Sequence, residues 1–390
     1  MFQFSTTPPL ALYVHLPWCT RKCPYCDFNS HGARDEIAEQ AYIDALLADL
    51  ETELPLVWGR AVSSIFIGGG TPSLFSATAI ERLLAGIRAR LRLRGDIEIS
   101  MEANPGSAEQ TRFAAYRQAG VNRLSLGIQS FNDRHLQALG RVHDAEQARS
   151  AIKAARDAGF TNLNLDLMYG LPGQGVDEAL NDLKLAIAYR PEHISHYQLT
   201  IEPDTAFAKQ PPSLPGDDER WHMQQACSPH LEKAGYRQYE VSAYAQDGKR
   251  CRHNLNYWTF GDYIGIGAGA HGKITLASEQ RIERRSKLKQ PQRYMEATAD
   301  RGFLDEQRCL SADDALFEFM LNGLRLRDGV DLDTFIHHSG LHPDYASSKI
   351  KHARQQGLLT LDERRLQATP LGQRFLNDLV ELFLPEQVAA

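Results

Sequence analysis

Short apolar and β-branched runs recur along the first two hundred positions, at residues 12–16, 64–67, 97–101, 123–128, 162–168 and 193–199. Each has the length of a buried strand and is followed by a segment whose apolar positions fall at helical spacing. Ile43, Leu46, Leu47, Leu50 and Leu54, for example, fall on one helix face. Ser107 with Gln110 and Asp144 with Gln147 have the spacing of capping boxes, while Gly120 and Gly159 suit helix ends. Alternation of this kind predicts parallel strands joined by right-handed crossovers. Six units predict an α/β architecture over residues 1–275, a partial (β/α)6 TIM-like barrel, with a doubly wound sheet as the open alternative.

Beyond residue 275 the rhythm stops. The stretch holding Arg281, Arg284, Arg285, Lys287 and Lys289 predicts a basic linker over residues 276–305. Residues 306–390 are expected to form a small, mostly α-helical, winged-helix-like domain. Its predicted parts are a hairpin turning at Asp362 and Glu363 and a final amphipathic helix with Leu371, Phe375, Leu379 and Leu382 on one face.

Composition narrows the class. The 390 residues are 43% hydrophobic and 24% charged, as in folded soluble domains, and suffice for two or three of them. The formal charge of −6 argues against a globally basic nucleic-acid binder. No run approaches the roughly 18 apolar residues of a membrane helix. The first twenty positions lack a Lys/Arg-led signal peptide and are broken by Pro8, Pro9 and Pro17, so a cytoplasmic protein without a transmembrane segment is expected.

Polar or glycine-rich residues follow the predicted strands: Gly68-Gly69-Gly70-Thr71-Pro72, Glu102-Ala103-Asn104-Pro105, Gln129-Ser130 and Gly170-Leu171-Pro172. The carboxyl edge of α/β sheets carries the chemistry. Just past the first strand, on the same rim, come Cys19, Cys23 and Cys26 in the spacing C-x3-C-x2-C, whereas Cys227, Cys251 and Cys309 are scattered and read as small hydrophobes. Three soft ligands suit zinc or iron–sulfur better than a hard cation. A structural zinc wants a fourth protein ligand, for which His15 or His31 stands near. A [4Fe-4S] cluster held by three cysteines leaves one iron open to an exogenous ligand.

The spacing resembles that of the radical S-adenosylmethionine (SAM) superfamily, in which three irons bind cysteines and SAM chelates the fourth. In that resemblance Tyr25 matches the aromatic beside the adenine. Gly69, Gly70 and Thr71 match the motif whose bare backbone approaches the SAM amine. Glu102 is similar to the carboxylate that contacts the ribose or amine, and Tyr13 joins this set of SAM contacts.

The segments Leu12-Tyr13-Val14-His15-Leu16-Pro17-Trp18-Cys19, Cys26-Asp27-Phe28-Asn29-Ser30-His31, Met101-Glu102-Ala103-Asn104-Pro105, Gly127-Ile128-Gln129-Ser130-Phe131 and Asp166-Leu167-Met168-Tyr169-Gly170-Leu171-Pro172 look like the coproporphyrinogen dehydrogenase-like branch of the superfamily. Within it, Gln129, Arg141 and Asp166 match positions that in the dehydrogenase serve a second SAM or the substrate region. That enzyme carries a further cysteine where this chain has Phe28, and an extension before its first strand. By contrast His253-Asn254-Leu255-Asn256-Tyr257-Trp258 resembles the H-N-x-x-Y-W motif of the branch's heme chaperone group.

That resemblance implies heme as a third cofactor beside the [4Fe-4S] cluster and SAM, with heme-accepting apo-proteins as partners and a homodimer as one assembly open to the chain. His253 is then the candidate axial ligand and His271 a weaker one, while the cations of the basic stretch could attract propionates. No catalytic residue is assigned. An oxygen-independent coproporphyrinogen decarboxylation and RNA modification remain the competing readings, although the mixed charges of the tail, Arg354, Arg364 and Arg365 among Asp362, Glu363, Asp378 and Glu381, argue against nucleic acid.

Overall fold

The computed structural model describes residues 2–33, 36–297 and 302–385. All six predicted strands form: β1 (Leu10–Leu16), β2 (Ala61–Gly69), β3 (Arg92–Ala103), β4 (Arg123–Gln129), β5 (Leu163–Tyr169) and β6 (His193–Gln198). They pair in sequential order and all parallel. The helices between them, α1 (Glu39–Glu53), α2 (Ala77–Arg90), α3 (Phe113–Ala119), α4 (Ala145–Asp157) and α5 (Val176–Ala188), bury their apolar faces against the sheet. Each Leu or Ile so buried is worth about 1.5–3 kcal/mol before the entropy of ordering is subtracted.

Local signals held unevenly. Asp144 and Gln147 form the capping box of α4, and Gly120 ends α3 in the left-handed region. Ser107 caps nothing: the short helix Ser107–Gln110 starts from Gly106 without a side-chain cap. Leu54 leaves the α1 face for a 3-10 turn.

The sheet does not stop at six strands. It runs to twelve through β7 (Arg237–Gln238), β8 (Ala243–Ala245), β9 (Asp262–Ile266), β10 (His271–Leu276), β11 (Arg281–Lys287) and β12 (Leu304–Cys309), in the order β12-β11-β10-β9-β1-β2-β3-β4-β5-β6-β8-β7. It is therefore open at both edges. β9 lies parallel to β1, and β10 to β12 continue antiparallel.

Within the stretch expected to be a linker, Arg281–Lys287 is a strand of the sheet and Leu304 begins another, with the short helix Pro291–Met295 between them; residues 298–301 lie outside the described residues, as do 386–390. Four of the stretch's cations are paired with carboxylates. Lys287 Nζ lies 2.5 Å from Asp49 Oδ1 and 2.6 Å from Glu53 Oε1, all three buried. Arg285 pairs with Glu53 and Glu283, Arg284 with Glu318, and Arg281 with Glu279 and Glu283. Two acids on the buried face of α1 and a lysine on a strand are each costly alone; Lys287 with Arg285 balances the two acids, and the Tyr294 hydroxyl donates to Asp49 Oδ2 at 2.6 Å.

The tail is mostly helical, with helices Ala312–Gly323, Leu332–Ser339 and Ser347–Gln355. Its apolar cluster also takes in Phe4, Tyr239, Phe260 and Ile282 from the preceding part of the chain. The predicted hairpin reduces to an antiparallel bridge, Leu359 to Ala368, and Leu366 pairs instead with Val330. The final helix is broken at Phe375 into Pro370–Arg374 and Leu376–Glu381; Leu379, Val380 and Phe383 are buried, whereas Leu371 and Phe375 are exposed. Arg354 and Arg365 donate to backbone carbonyls of Thr360, Asp362, Asp328 and Gly329, which occupies two of the tail's cations. Among the described residues no helix is long and apolar enough to cross a membrane.

Lys287→Met should strand Asp49 as a buried carboxylate, leave Glu53 to Arg285 alone and lower unfolding free energy by about 3–5 kcal/mol. Urea denaturation of the purified protein measures it, and a loss under 1 kcal/mol would contradict the burial argument.

Candidate functional site

At the carboxyl ends of β1 to β6 lies a cavity of about 540 Å³. Cys19, Cys23 and Cys26 line it, together with Tyr25, Gly69, Gly70 and Thr71, while Glu102, Gln129, Arg141 and Asp166 reach it from the strand ends and loops opposite. The three thiols are free and half-buried. Among the described residues no three His, Cys, Asp or Glu side chains stand close enough to share one metal ion. The cysteines form a wall, suited to a group of several atoms.

The loop that carries them is closed at its base. Trp18–Cys19 pairs in parallel with His31–Gly32, His31 N donates to Pro17 O at 2.7 Å, and Ala33 N to Cys19 O at 2.8 Å. Cys26 N donates back to Cys23 O at 3.1 Å, turning the chain so that all three sulfurs meet the cavity. Burial pushes the Cys19 and Cys26 thiols up. A metal or cluster must displace those protons.

Its neighbours fix the loop. His15 Nε2 lies 2.8 Å from Asn29 O and Nδ1 lies 2.9 Å from Tyr13 OH, which fits the tautomer that donates to the carbonyl and accepts from the phenol. Both nitrogens are engaged, so His15 is not the fourth ligand of a zinc site. The Asn29 amide donates to Ala268 O at 2.8 Å and Lys289 O at 2.9 Å, tying the loop to the turn after β9 and to the segment after β11. On the other side Phe207 N donates to Pro24 O at 2.9 Å.

The glycine turn supplies the last wall. A Cβ on Gly70 would lie 2.5 Å from Trp18 O and 3.0 Å from Cys19 Sγ; one on Gly69, at φ +121°, would strike the His15 ring. Gly69 N donates to Glu102 Oε2 at 3.2 Å. Desolvation, and secondarily the charge of Asp166, raises the Glu102 carboxyl to about 8. Asp166 is raised by burial against hydrogen bonds from Asn164 and Ser125. Two acids lining one cavity, neither in a salt bridge among the described residues, favour a cationic guest.

Gln129 sits at φ +66°, in the left-handed region, with its carbonyl oxygen accepting from Tyr197 OH at 2.8 Å. Arg141 spans the cavity wall, donating to Asn104 Oδ1 at 2.6 Å, Gly127 O at 2.9 Å and Cys23 Sγ at 3.5 Å.

Of the residues singled out in the sequence, Tyr13 and His253 do not line the cavity. Tyr13 acts one step back, through His15. His253 is buried under the strands, its ring stacked on Phe66 at 5.1 Å, with Nδ1 3.2 Å from Ser64 Oγ and Nε2 2.9 Å from Tyr257 OH. Burial lowers it to about 3, so it is neutral with no free nitrogen for iron. His271 is exposed at the start of β10 and outside the cavity lining. The sequence reading passed over Asn29, Asn104 and Tyr197; the first two lie inside the motifs quoted above and the third at a strand end, and their spacing alone marks none of them.

Residues 13–186 match the Radical SAM superfamily and residues 310–375 the HemN C-terminal domain. The chain is 50% identical to the heme chaperone HemW of Escherichia coli over 97% of its own length and 99% of that protein's. It is 37% identical to the mitochondrial radical S-adenosyl methionine domain-containing protein 1 of Bos taurus, covering 95% and 86%. Among solved structures it resembles the coproporphyrinogen III oxidase HemN of Escherichia coli, described as a radical SAM enzyme, with a TM-score of 0.81 and 26% identity over 97% of this chain and 90% of that one.

Two outcomes check this geometry. Gly70→Ala should force the cysteine loop off the glycine turn, lowering stability by about 1–3 kcal/mol and speeding reaction of Cys19 with a thiol reagent. Glu102 ionises near 4.5 when unfolded and near 8 when folded, so its contribution holds below the first value and is lost as pH rises through the second. Melting of the ligand-free protein should therefore fall between pH 5 and pH 8 by more than in Glu102→Gln; parallel curves would refute the assignment.

Proposed function

The chain belongs to the heme chaperone HemW family, with half its residues identical to one member over nearly the full length, and from that premise we propose that it binds heme and a SAM-liganded [4Fe-4S] cluster and hands the heme to acceptor proteins. The observation that carries the cofactor part is the wall of three thiols, with Cys227 and Cys251 buried elsewhere and Cys309 exposed on β12. Soft donors in that number, spread along a cavity beside bare glycine backbone, fit a cluster whose fourth iron takes an outside ligand.

In this reading Cys19, Cys23 and Cys26 hold the cluster. Tyr25, Gly69, Gly70, Thr71 and Glu102 hold SAM, with Gln129 and Asp166 behind them. When bound, the pair supplies one-electron chemistry at a sulfonium carbon. The protein orients and encloses. Glu102 receives positive charge from the guest, which returns its carboxyl to the ionised form, and the Gly69–Gly70 backbone allows close approach. Asn29, His15 and Tyr13 keep the cysteine loop closed against water.

Phe28 favours delivery over porphyrinogen oxidation. It stands, 57% exposed, at the cavity mouth where the dehydrogenase resemblance calls for another cysteine. The axial ligand for heme lies outside the His253 cluster, because both of that ring's nitrogens are engaged.

Anaerobic titration of the cluster-reconstituted protein with heme should give a saturable Soret band near one heme per chain and release to an apo-protein without decarboxylated product; absence of saturable binding removes the chaperone reading. The Cys19→Ser, Cys23→Ser, Cys26→Ser triple variant should retain neither iron nor sulfide. His253→Ala should leave the heme spectrum unchanged while losing roughly 1–3 kcal/mol of stability from the polar groups it abandons.

A further inference from the structure

We infer that Arg141 is a tuning residue for the group held by the cysteines, placed so that its charge and its N–H···S contact to Cys23 set how readily that group accepts an electron. The inference rests on the iron–sulfur reading above and adds a role for one residue of the cavity wall.

The guanidinium is built into its place. Gly140, at φ +66°, brings the preceding turn so close that a Cβ there would lie 2.9 Å from Pro24 Cδ, inside the cysteine loop. Arg141 N donates to Leu136 O at 2.9 Å, fixing the backbone. Asn104 and Gly127 O then hold one arm of the fork, and the other points at Cys23 Sγ. Asn104 is itself anchored, its amide donating to Thr71 Oγ1 at 3.1 Å.

Nothing cancels the charge. Among the described residues no carboxylate lies within ion-pairing distance of Arg141, unlike the paired arginines of β11. An arginine so placed faces carbonyls and a sulfur.

Reduction of a thiolate-bound cluster by one electron adds a negative charge within a few ångströms of this cation. In a medium of low effective dielectric the reduced form gains more from Arg141 than the oxidised form does. Hydrogen bonds to the ligating sulfurs and net local charge act on potential in the same sense. Arg141 therefore raises the midpoint. Lysine at this position would keep the charge without the fork.

The test is a redox titration of the reconstituted protein without SAM, with dithionite as electron donor and the reduced cluster read by electron paramagnetic resonance, each sample assayed for iron and sulfide. Arg141→Met should disfavour reduction at least tenfold, about 59 mV lower for a one-electron couple, with Arg141→Lys between. Asn104→Ala, which frees one arm of the fork, should shift the midpoint the same way by less. Wild-type protein without iron and sulfide would overturn the cluster reading itself. Fully loaded Arg141→Met with the wild-type midpoint would overturn the tuning role. If that variant fails to load, unchanged midpoints in both Arg141→Lys and Asn104→Ala overturn it instead.

Discussion

Three thiols must face one space from a stretch of chain that has almost no regular structure of its own. A helix or strand would fix them through its backbone ladder, but the segment between Trp18 and His31 has only a two-residue clasp at its base and one tight turn. Everything else that holds it is borrowed. Gly70 packs against its first residues, His15 and the carbonyls of Ala268 and Lys289 hold Asn29 on its far side, and the turn at Gly140 and the short helix at Phe207 close on Pro24. The surroundings thus meet the entropy cost of ordering an irregular loop.

The same demand explains why the interior behind the cavity is polar. Closed barrels fill this space with branched aliphatic side chains. Here Glu102, Ser125, Asn164 and Asp166 descend from the cavity, and below them Asn164 Oδ1 meets His193 Nδ1 at 2.5 Å while His193 Nε2 meets Tyr239 OH at 2.8 Å. Every link has a partner, which lets so much polarity be buried. The helix Arg252–Trp258 joins this system from beneath: Glu98 accepts from Arg252 N and His253 N at its first turn. The histidine that looked like a ligand belongs to this packed polar base.

What could be read from the chain alone follows from how local each signal is. The six parallel strands and the cysteine spacing are written in consecutive residues, so periodicity and motif reach them directly. β11 is not: Arg281-Ile282-Glu283-Arg284-Arg285-Ser286-Lys287 reads as a solvated linker until Asp49 and Glu53, more than two hundred residues earlier, are seen to pair with Lys287 and Arg285. The surroundings of His253 were hidden for a related reason, since its partner Ser64 lies on a strand far away in sequence. Leu371 and Phe375 fit a helical stripe, but the break at Phe375 turns them outward.

The bonds from Asn29 to Ala268 and Lys289 join positions separated by 239 and 260 residues. On a ribosome, which delivers the amino terminus first, the cysteines emerge while their fastening has not yet been synthesised. A nascent chain that has completed all six parallel strands still carries its thiols on a loop with one side untied. That side can close only once residue 289 has been made, whereas the sixth parallel strand is complete by residue 198.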